Sequence, residues 1–339
     1  MIRAEGKMTQ NKKDELLVDH NHDGVDRRGF LKCMAWAGTG TFCLIQGGVL
    51  KSYALSAAAS LNPAEMKGEL SFAQISDSHM GFNKAANPDV VATLKTAIDK
   101  INAFPKKPEF LLHTGDISHL AKAEEFDTVD QLLKGSRAKD VLFVPGEHDF
   151  VGDDGAGYLA RYGKGTKGSG WYSFDKKGVH FIGLVNVWNL KAGGLGSLGN
   201  EQLEWLEDDV KGIGSSTPIV VFAHIPLWSV YPQWGWGTED SAQALGYLKK
   251  FGSVTVLNGH IHQTMQKVEG NVTFHTAAST AFPQPAPGTA DSPGPMKVPA
   301  DQLQKVLGVT DVNFRRGKHA VAVVDESLAS DKPASSGNY

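Results

Sequence analysis

An α/β fold is the class this sequence predicts, and three observations predict it. Short apolar runs alternate with amphipathic segments of helical period along residues 69–149. Several of these runs end abruptly in glycine beside His, Asp or Glu, as strands do where sites form outside the carboxyl edge of an open sheet. The chain has 339 residues, 41% hydrophobic and 21% charged, enough apolar material for one large core. Its formal charge of −3 gives no reason to expect nucleic acid as a partner.

The elements follow in order. Glu69 to Ser76 alternates as a strand and delivers Asp77-Ser78-His79. A helix is predicted from Pro88 to Phe104, capped by Asn87, with Val91, Leu94, Ile98 and Ile101 as its apolar stripe. Phe110–His113 is the next strand, ending at Thr114-Gly115-Asp116, and Ala123–Leu133 the next helix. Val141–Val144 leads into Pro145-Gly146-Glu147-His148-Asp149. Residues 151–170 are glycine-rich and read as a flexible surface loop; Gly163-Lys164-Gly165-Thr166 lacks the order and frame of a phosphate loop. Trp171–Phe174 and Val179–Val185 form adjacent strands, and Asn200 caps a helix running to Val210. Pro218–Phe222 ends at His224 and is followed by an aromatic loop with Trp228, Tyr231, Trp234 and Trp236. A helix at Ser241–Phe251 leads to the strand Val254–Leu257 and the stretch Asn258-Gly259-His260-Ile261-His262. On an extended backbone, residues two apart share a face, so His260 and His262 are expected to project together. Strands at Met265–Val268 and Val272–His275, a Pro/Gly-dense rim or lid loop at 281–299, a short helix at Leu303–Leu307 and a last strand at Ala320–Val324 complete the chain.

Residues 1–59 read as an address. Asp26-Arg27-Arg28-Gly29-Phe30-Leu31-Lys32 is a twin-arginine pattern, followed by the uncharged segment Cys33–Leu50 and the small residues Ala54–Ala59. The pattern implies the Tat export machinery as a partner and a periplasmic or secreted protein. The segment's glycines and moderate apolarity suit a signal better than a stable membrane anchor. Both cysteines, Cys33 and Cys43, lie in it, so the chain beyond it has no disulfide and no thiolate ligand.

In order, the chemistry-bearing motifs are Asp77-x-His79, Gly115-Asp116, Gly146-Glu147-His148-Asp149, His224 and Gly259-His260-x-His262. Their order and spacing resemble those of the calcineurin-like metallophosphoesterases, whose pattern is D-x-H, G-D, G-N-H-D/E, H and G-H-x-H. The resemblance spans roughly Leu70 to Val324. It implies a four-layer α/β/β/α sandwich of two mixed β-sheets flanked by helices, occupying residues 60–325 between the leader and a flexible tail at 326–339. It implies a two-metal centre in which Asp77, His79, Asp116 and His262 hold one ion. Asp116 would bridge to a second, held also by Glu147, His224 and His260. His148 would be the catalytic histidine near the leaving group, and Asp149 would orient its turn. A bridging hydroxide would attack a small-molecule phosphate ester in line.

Carboxylate and imidazole without thiolate suit Mn, Fe or Zn. One position departs from the family: Glu147 stands where Asn is usual. A carboxylate there binds a cation more strongly, lowers its Lewis acidity and repels a phosphate dianion, so diesters are the favoured substrates. The alternative is a periplasmic metal- or partner-binding protein on the same scaffold, with catalysis weakened by Glu147. His119, Trp228 and His275 are further candidates for facing substrate; His180 reads as structural.

Overall fold

The computed structural model describes residues 41–46, 49–54, 69–315 and 321–329. The chain divides into two units, Met1–Lys67 and Gly68–Tyr339. In the first, β1 (Thr41–Gln46) and β2 (Val49–Ala54) pair antiparallel, Thr41 opposite Ala54 and Gln46 opposite Val49. The twin-arginine motif lies outside the described residues, as does most of the tail. Among the described residues, no helix is long and apolar enough to cross a membrane.

The second unit is built on two mixed sheets. The first has five strands in the order β13-β12-β3-β4-β5: β3 (Glu69–Ile75), β4 (Phe110–His113), β5 (Asp140–Phe143), β12 (Gly308–Arg315) and β13 (Ala322–Ser327). The second has six in the order β10-β11-β9-β8-β7-β6: β6 (Tyr172–Lys176), β7 (Val179–Gly183), β8 (Ile219–Phe222), β9 (Val254–Asn258), β10 (Met265–Glu269) and β11 (Val272–Thr276). β3, β4 and β5 run parallel, as do β7, β8, β9 and β11. Every site motif lies just beyond a strand of one of these parallel sets.

Strand alternation sorts side chains between layers. Leu70, Phe72, Phe110, Leu112, Val220 and Phe222 pack between the sheets, where Phe72 stacks on Phe110 at 4.7 Å. Ala73, Ile75 and Leu111 face the opposite way, onto α1 (Val90–Asn102) and α2 (Ala123–Leu133). Ile219 and Val221 face α4 (Asn200–Lys211) and α5 (Ser241–Leu248). Two sheets with helices on both outer faces are the four layers that the sequence comparison implied.

Several local expectations are corrected. Asp89, not Asn87, caps α1 by accepting from Ala92 N at 2.9 Å, which makes Val90 the first core residue and leaves Val91 exposed. Asn87 instead ties the helix start to the Ala281 carbonyl. Asn200 lies inside α4, with Gly199 as the cap at φ 76°. The expected loop at 151–170 contains α3 (Ala156–Tyr162), anchored by the buried Tyr158. β12 was not anticipated; it lies beside β3 because Val309, Val312 and Phe314 find burial there despite Asp311 and Asn313 between them. The last strand runs on to Ser327, and Leu328 is buried in the core. A helix at Ala300–Val306 (α6) precedes β12.

Candidate metal centre

Asp77 and His79 follow β3, Asp116 follows β4, Glu147 and His148 open a 3-10 turn after β5, His224 follows β8, and His260 and His262 follow β9. The loops converge, and among the described residues the side chains form five overlapping three-residue groups that could hold a cation. Asp77, His79 and His262 have ligand-capable atoms within 4.8 Å of one another, as do Glu147, His224 and His260. Asp116 Oδ2 lies 3.4 Å from His79 Nε2 in the first group and 3.4 Å from His224 Nε2 in the second. One carboxylate oxygen thus faces both groups.

The backbone is held in an unusual state to achieve this. Asp77, His79, Asp116, His260 and His262 all have left-handed φ, between 39° and 70°. Such a conformation costs roughly 1–2 kcal/mol for a non-glycine residue and persists only where the surroundings over-determine it. The left-handed turns, rather than a shared strand face, send one ring to each of the two groups, the division that the resemblance implied. Gly259 and Gly146 permit the loops to close, since a Cβ on Gly259 would stand 1.8 Å from Ser76 Oγ and one on Gly146 2.0 Å from Asp116 Oδ1.

Carbonyl oxygens set the imidazole tautomers. His224 Nδ1 donates to Thr114 O at 2.7 Å, and His262 Nδ1 donates to Phe282 O at 2.5 Å. Each leaves Nε2 with its lone pair toward the carboxylates, the arrangement of a metal-ligating histidine. Buried Glu147 Oε2, His224 Nε2 and both ring nitrogens of His260 have no hydrogen-bond partner, although Glu147 Oε2 is 3.0 Å from His224 Nε2 and Glu147 Oε1 is 3.0 Å from His260 Nδ1. Buried polar atoms are rarely left so, and lone pairs of both residue types aimed at a shared space fit a cation. Glu147 thus points into the site, toward both histidines.

The electrostatics agree. Burial pushes the Glu147 carboxyl up, but the charges of His260 and His224 outweigh this and hold it well below the carboxylate range. Burial pushes Asp77 up as well, and His262 and His224 bring it down, to about 2. Burial depresses His224, yet Asp116 and Glu147 raise it well above an ordinary imidazole. A hole with this many carboxylates draws positive charge, which divalent cations supply while leaving the imidazoles neutral.

His148 has its backbone N–H on Asp116 Oδ1 at 2.9 Å and donates from Nδ1 to His119 O at 2.8 Å, leaving Nε2 free. Its ring centroid is 4.7 Å from that of His79. The His119 ring stacks on His148 at 4.8 Å and places Nδ1 3.4 Å from His79 Nδ1, so His119 joins the site. Asp149 orients the turn: it accepts from Ile117 N, Ser118 N, Ser118 Oγ and Gly146 N at 2.7–3.1 Å, joining the loops after β4 and β5.

Trp228 and His275 are not brought in. Trp228 is buried against Phe274 at 5.0 Å, and His275 is fully buried and meets Asp325 Oδ2 at 2.9 Å.

The family profile of calcineurin-like phosphoesterases matches residues 70–264. The chain belongs to that family. Its members hydrolyse phosphoric esters. Among curated relatives, it is 23% identical over 219 residues to a 3′,5′-cyclic-nucleotide phosphodiesterase of Nostoc sp., covering 63% of this chain and 79% of that protein. It is 27% identical over 193 residues to a serine/threonine-protein phosphatase of Bos taurus, covering 51% and 61%. It is 26% identical over 229 residues to a probable glycerophosphodiester phosphodiesterase of Arcobacter nitrofigilis, covering 61% and 77%. The fold is shared with a dimetal phosphatase from Danio rerio, at TM-score 0.56 and 13% identity over 77% of this chain and 96% of that one.

Sequence reasoning missed what holds the site from behind. Phe282 stacks on His79 at 4.8 Å and supplies the carbonyl for His262. Ser279 Oγ donates to Asp77 O at 2.8 Å, and Glu125 accepts from the backbone of His119 and Leu120 at 3.1 and 2.8 Å. These act through main-chain atoms or ring contacts, which leave no motif.

Proposed function

We propose that this phosphoesterase is an exported enzyme that hydrolyses small phosphate diesters in preference to monoesters at a two-metal centre. The observation that carries the reading is Asp116 Oδ2 at 3.4 Å from His79 Nε2 and from His224 Nε2. Asp77, His79 and His262 would hold one cation, Glu147, His224 and His260 the other, and Asp116 both. A pair of Mn, Fe or Zn ions there would supply Lewis acidity toward the phosphoryl oxygens and a bound water of lowered pKa.

The chain's own residues do the rest. Thr114 O and Phe282 O keep His224 and His262 in the ligating tautomer. His148, with Nδ1 committed to His119 O, keeps Nε2 for a proton delivered to the leaving oxygen. Glu147, 27% exposed, adds a third carboxylate charge beside Asp77 and Asp116, which penalises a phosphate dianion more than a diester monoanion. The printed activities of the Nostoc and Arcobacter relatives, both diesterases, support the same preference. Export rests on Arg27-Arg28 and the uncharged segment after them.

The test assays bis(4-nitrophenyl) phosphate and 4-nitrophenyl phosphate with Mn²⁺, Fe²⁺ and Zn²⁺, alongside metal content. A higher kcat/KM for the diester, with two ions per chain, supports the reading. No turnover with any metal despite filled sites would favour the alternative, a metal- or partner-binding protein. Fusing residues 1–59 to a reporter that requires Tat, with Arg27→Lys/Arg28→Lys as control, tests export.

A further inference from the structure

Two histidines of the candidate centre have the outer ring nitrogen fixed by the main chain, His224 by Thr114 O and His262 by Phe282 O. His79 is held differently. Its Nε2 faces inward, 3.1 Å from His262 Nε2 and 3.4 Å from Asp116 Oδ2. Its Nδ1 meets the imidazole of His119, with 3.4 Å between the two Nδ1 atoms. The His119 ring is fixed from several sides. It stacks on His148 at 4.8 Å and meets Phe82 edge-on at 5.3 Å. Its backbone N–H donates to Met80 O at 2.9 Å and to Glu125 Oε2 at 3.1 Å, and its carbonyl accepts from His148 Nδ1 at 2.8 Å. Main chain and ring thus serve different histidines: the carbonyl of His119 holds His148, and its Nδ1 reaches His79.

We propose that His119 is a positioning residue for the first ion: its Nδ1 accepts the Nδ1–H of His79 and so keeps the His79 Nε2 lone pair turned toward Asp77, Asp116 and His262. The inference rests on the two-metal reading above and deepens it. A single proton can lie between the two Nδ1 atoms. A ligating His79 with its lone pair on Nε2 carries its proton on Nδ1, so His119 accepts, and the proton of a neutral His119 sits on Nε2. A side chain thereby does for His79 what carbonyls do for His224 and His262. Such outer partners of ligating imidazoles are worth about 10–100-fold in metal affinity. Unlike a carbonyl, this acceptor can be removed by substitution while the main chain that holds His148 keeps its hydrogen bond.

The test separates the acceptor from the ring. Asn and Leu have nearly the same shape, and Asn alone carries an acceptor at about the reach of Nδ1. Zinc titration against a competing chelator is compared on wild type, His119→Asn and His119→Leu at about pH 8, where a free imidazole is neutral. The expected result is two ions in wild type, one of them bound about 10–100-fold more weakly in His119→Leu and the other within about twofold, with most of the loss recovered in His119→Asn. The weakened ion should be the one that Glu147→Ala spares. Equal weakening in Asn and Leu would assign the effect to the lost stacking on His148 and overturn the proposal, as would unchanged affinity in Leu. Nitrogen-15 spectra of zinc-loaded wild type labelled at histidine read the tautomer without any substitution, and so decide the matter even if His119→Leu does not fold. A proton on His119 Nε2 with Nδ1 bare upholds the proposal, and a proton on its Nδ1 overturns it. Both measurements read metal and tautomer rather than turnover. If they come out as expected while no phosphate ester is hydrolysed, the activity reading alone fails; a wild type that binds no zinc sinks the metal centre and this role with it.

Discussion

Glu147 Oε2 stands 3.0 Å from His224 Nε2, and neither atom has a hydrogen-bond partner. Two buried groups of complementary chemistry are thus brought together without satisfying each other, which is how ligands of a common cation are arranged. Glu147→Ala should therefore lower the second ion's affinity by at least about 10–100-fold, since even outer partners of metal ligands contribute that much. Glu147→Asn should keep the ion but shift the metal preference. Metal analysis after dialysis against graded chelator checks both; unchanged stoichiometry and preference would count against Glu147 as a ligand.

His148→Ala should separate chemistry from binding. His148 has ligand-capable atoms within 4.8 Å of Asp116 and Glu147 and of His79 and His119, but its Nδ1 is spent on His119 O. Loss of its proton should cost about 10²–10⁴-fold in kcat while two metals per chain remain. The effect should shrink for esters with very acidic leaving groups, which depart without protonation. Loss of metal together with activity would mean that His148 is a ligand.

Asp149→Ala should destabilise the fold itself. The substitution strands the buried N–H groups of Ile117, Ser118 and Gly146. Each such group costs about 1–3 kcal/mol, so a loss of about 3 kcal/mol or more is expected in urea denaturation. Asp149→Asn, which retains acceptor capacity at one oxygen, should lose less.

Gly146→Ala tests the close approach of the two loops. The new methyl would stand 2.0 Å from Asp116 Oδ1 and 2.3 Å from Asp116 N, so the backbone must move rather than one flexible side chain. Activity should fall to near background while circular dichroism stays close to wild type. Retained activity would show that the loops can separate without cost.

His180 carries a pH dependence remote from the centre. Burial lowers its pKa, but hydrogen bonds to Asp209 at 2.8 Å and Asp175 at 3.0 Å raise it overall above 6.5. Because the folded-state pKa lies above the unfolded one, the contribution is present in full below about pH 6.5 and is lost as pH rises through the folded value. Asp175 is largely exposed, so solvent screens its share. Denaturation between pH 5.5 and 9 should show this slope in wild type and lose it in His180→Gln; identical profiles would refute the coupling.

Much of the centre was legible along the chain because its side chains sit immediately after strands. A strand that ends in glycine and a metal-capable residue signals itself locally, as at Gly115-Asp116 and Gly259-His260. Candidates argued from proximity in sequence fared differently. Trp228 follows His224 by four residues yet turns into the core, and His275 ends a strand beside β9 yet pairs with Asp325. β12 escaped because Asp311 and Asn313 break its apolar pattern, and it reads as a strand only once β3 offers an edge to pair with.

The residues by themselves determined the α/β class and the five motifs that end its strands, because alternation, punctuation and residue chemistry are local properties; which of those side chains would be ligands came from the resemblance. Only the folded molecule decided that Glu147 turns inward, that His119 joins the site while Trp228 and His275 do not, and which backbone oxygens orient the imidazoles. These outcomes depend on left-handed turns and on contacts between segments more than a hundred residues apart, such as His224 Nδ1 with Thr114 O. No local pattern records such contacts, since their energy exists only when both partners are already in place.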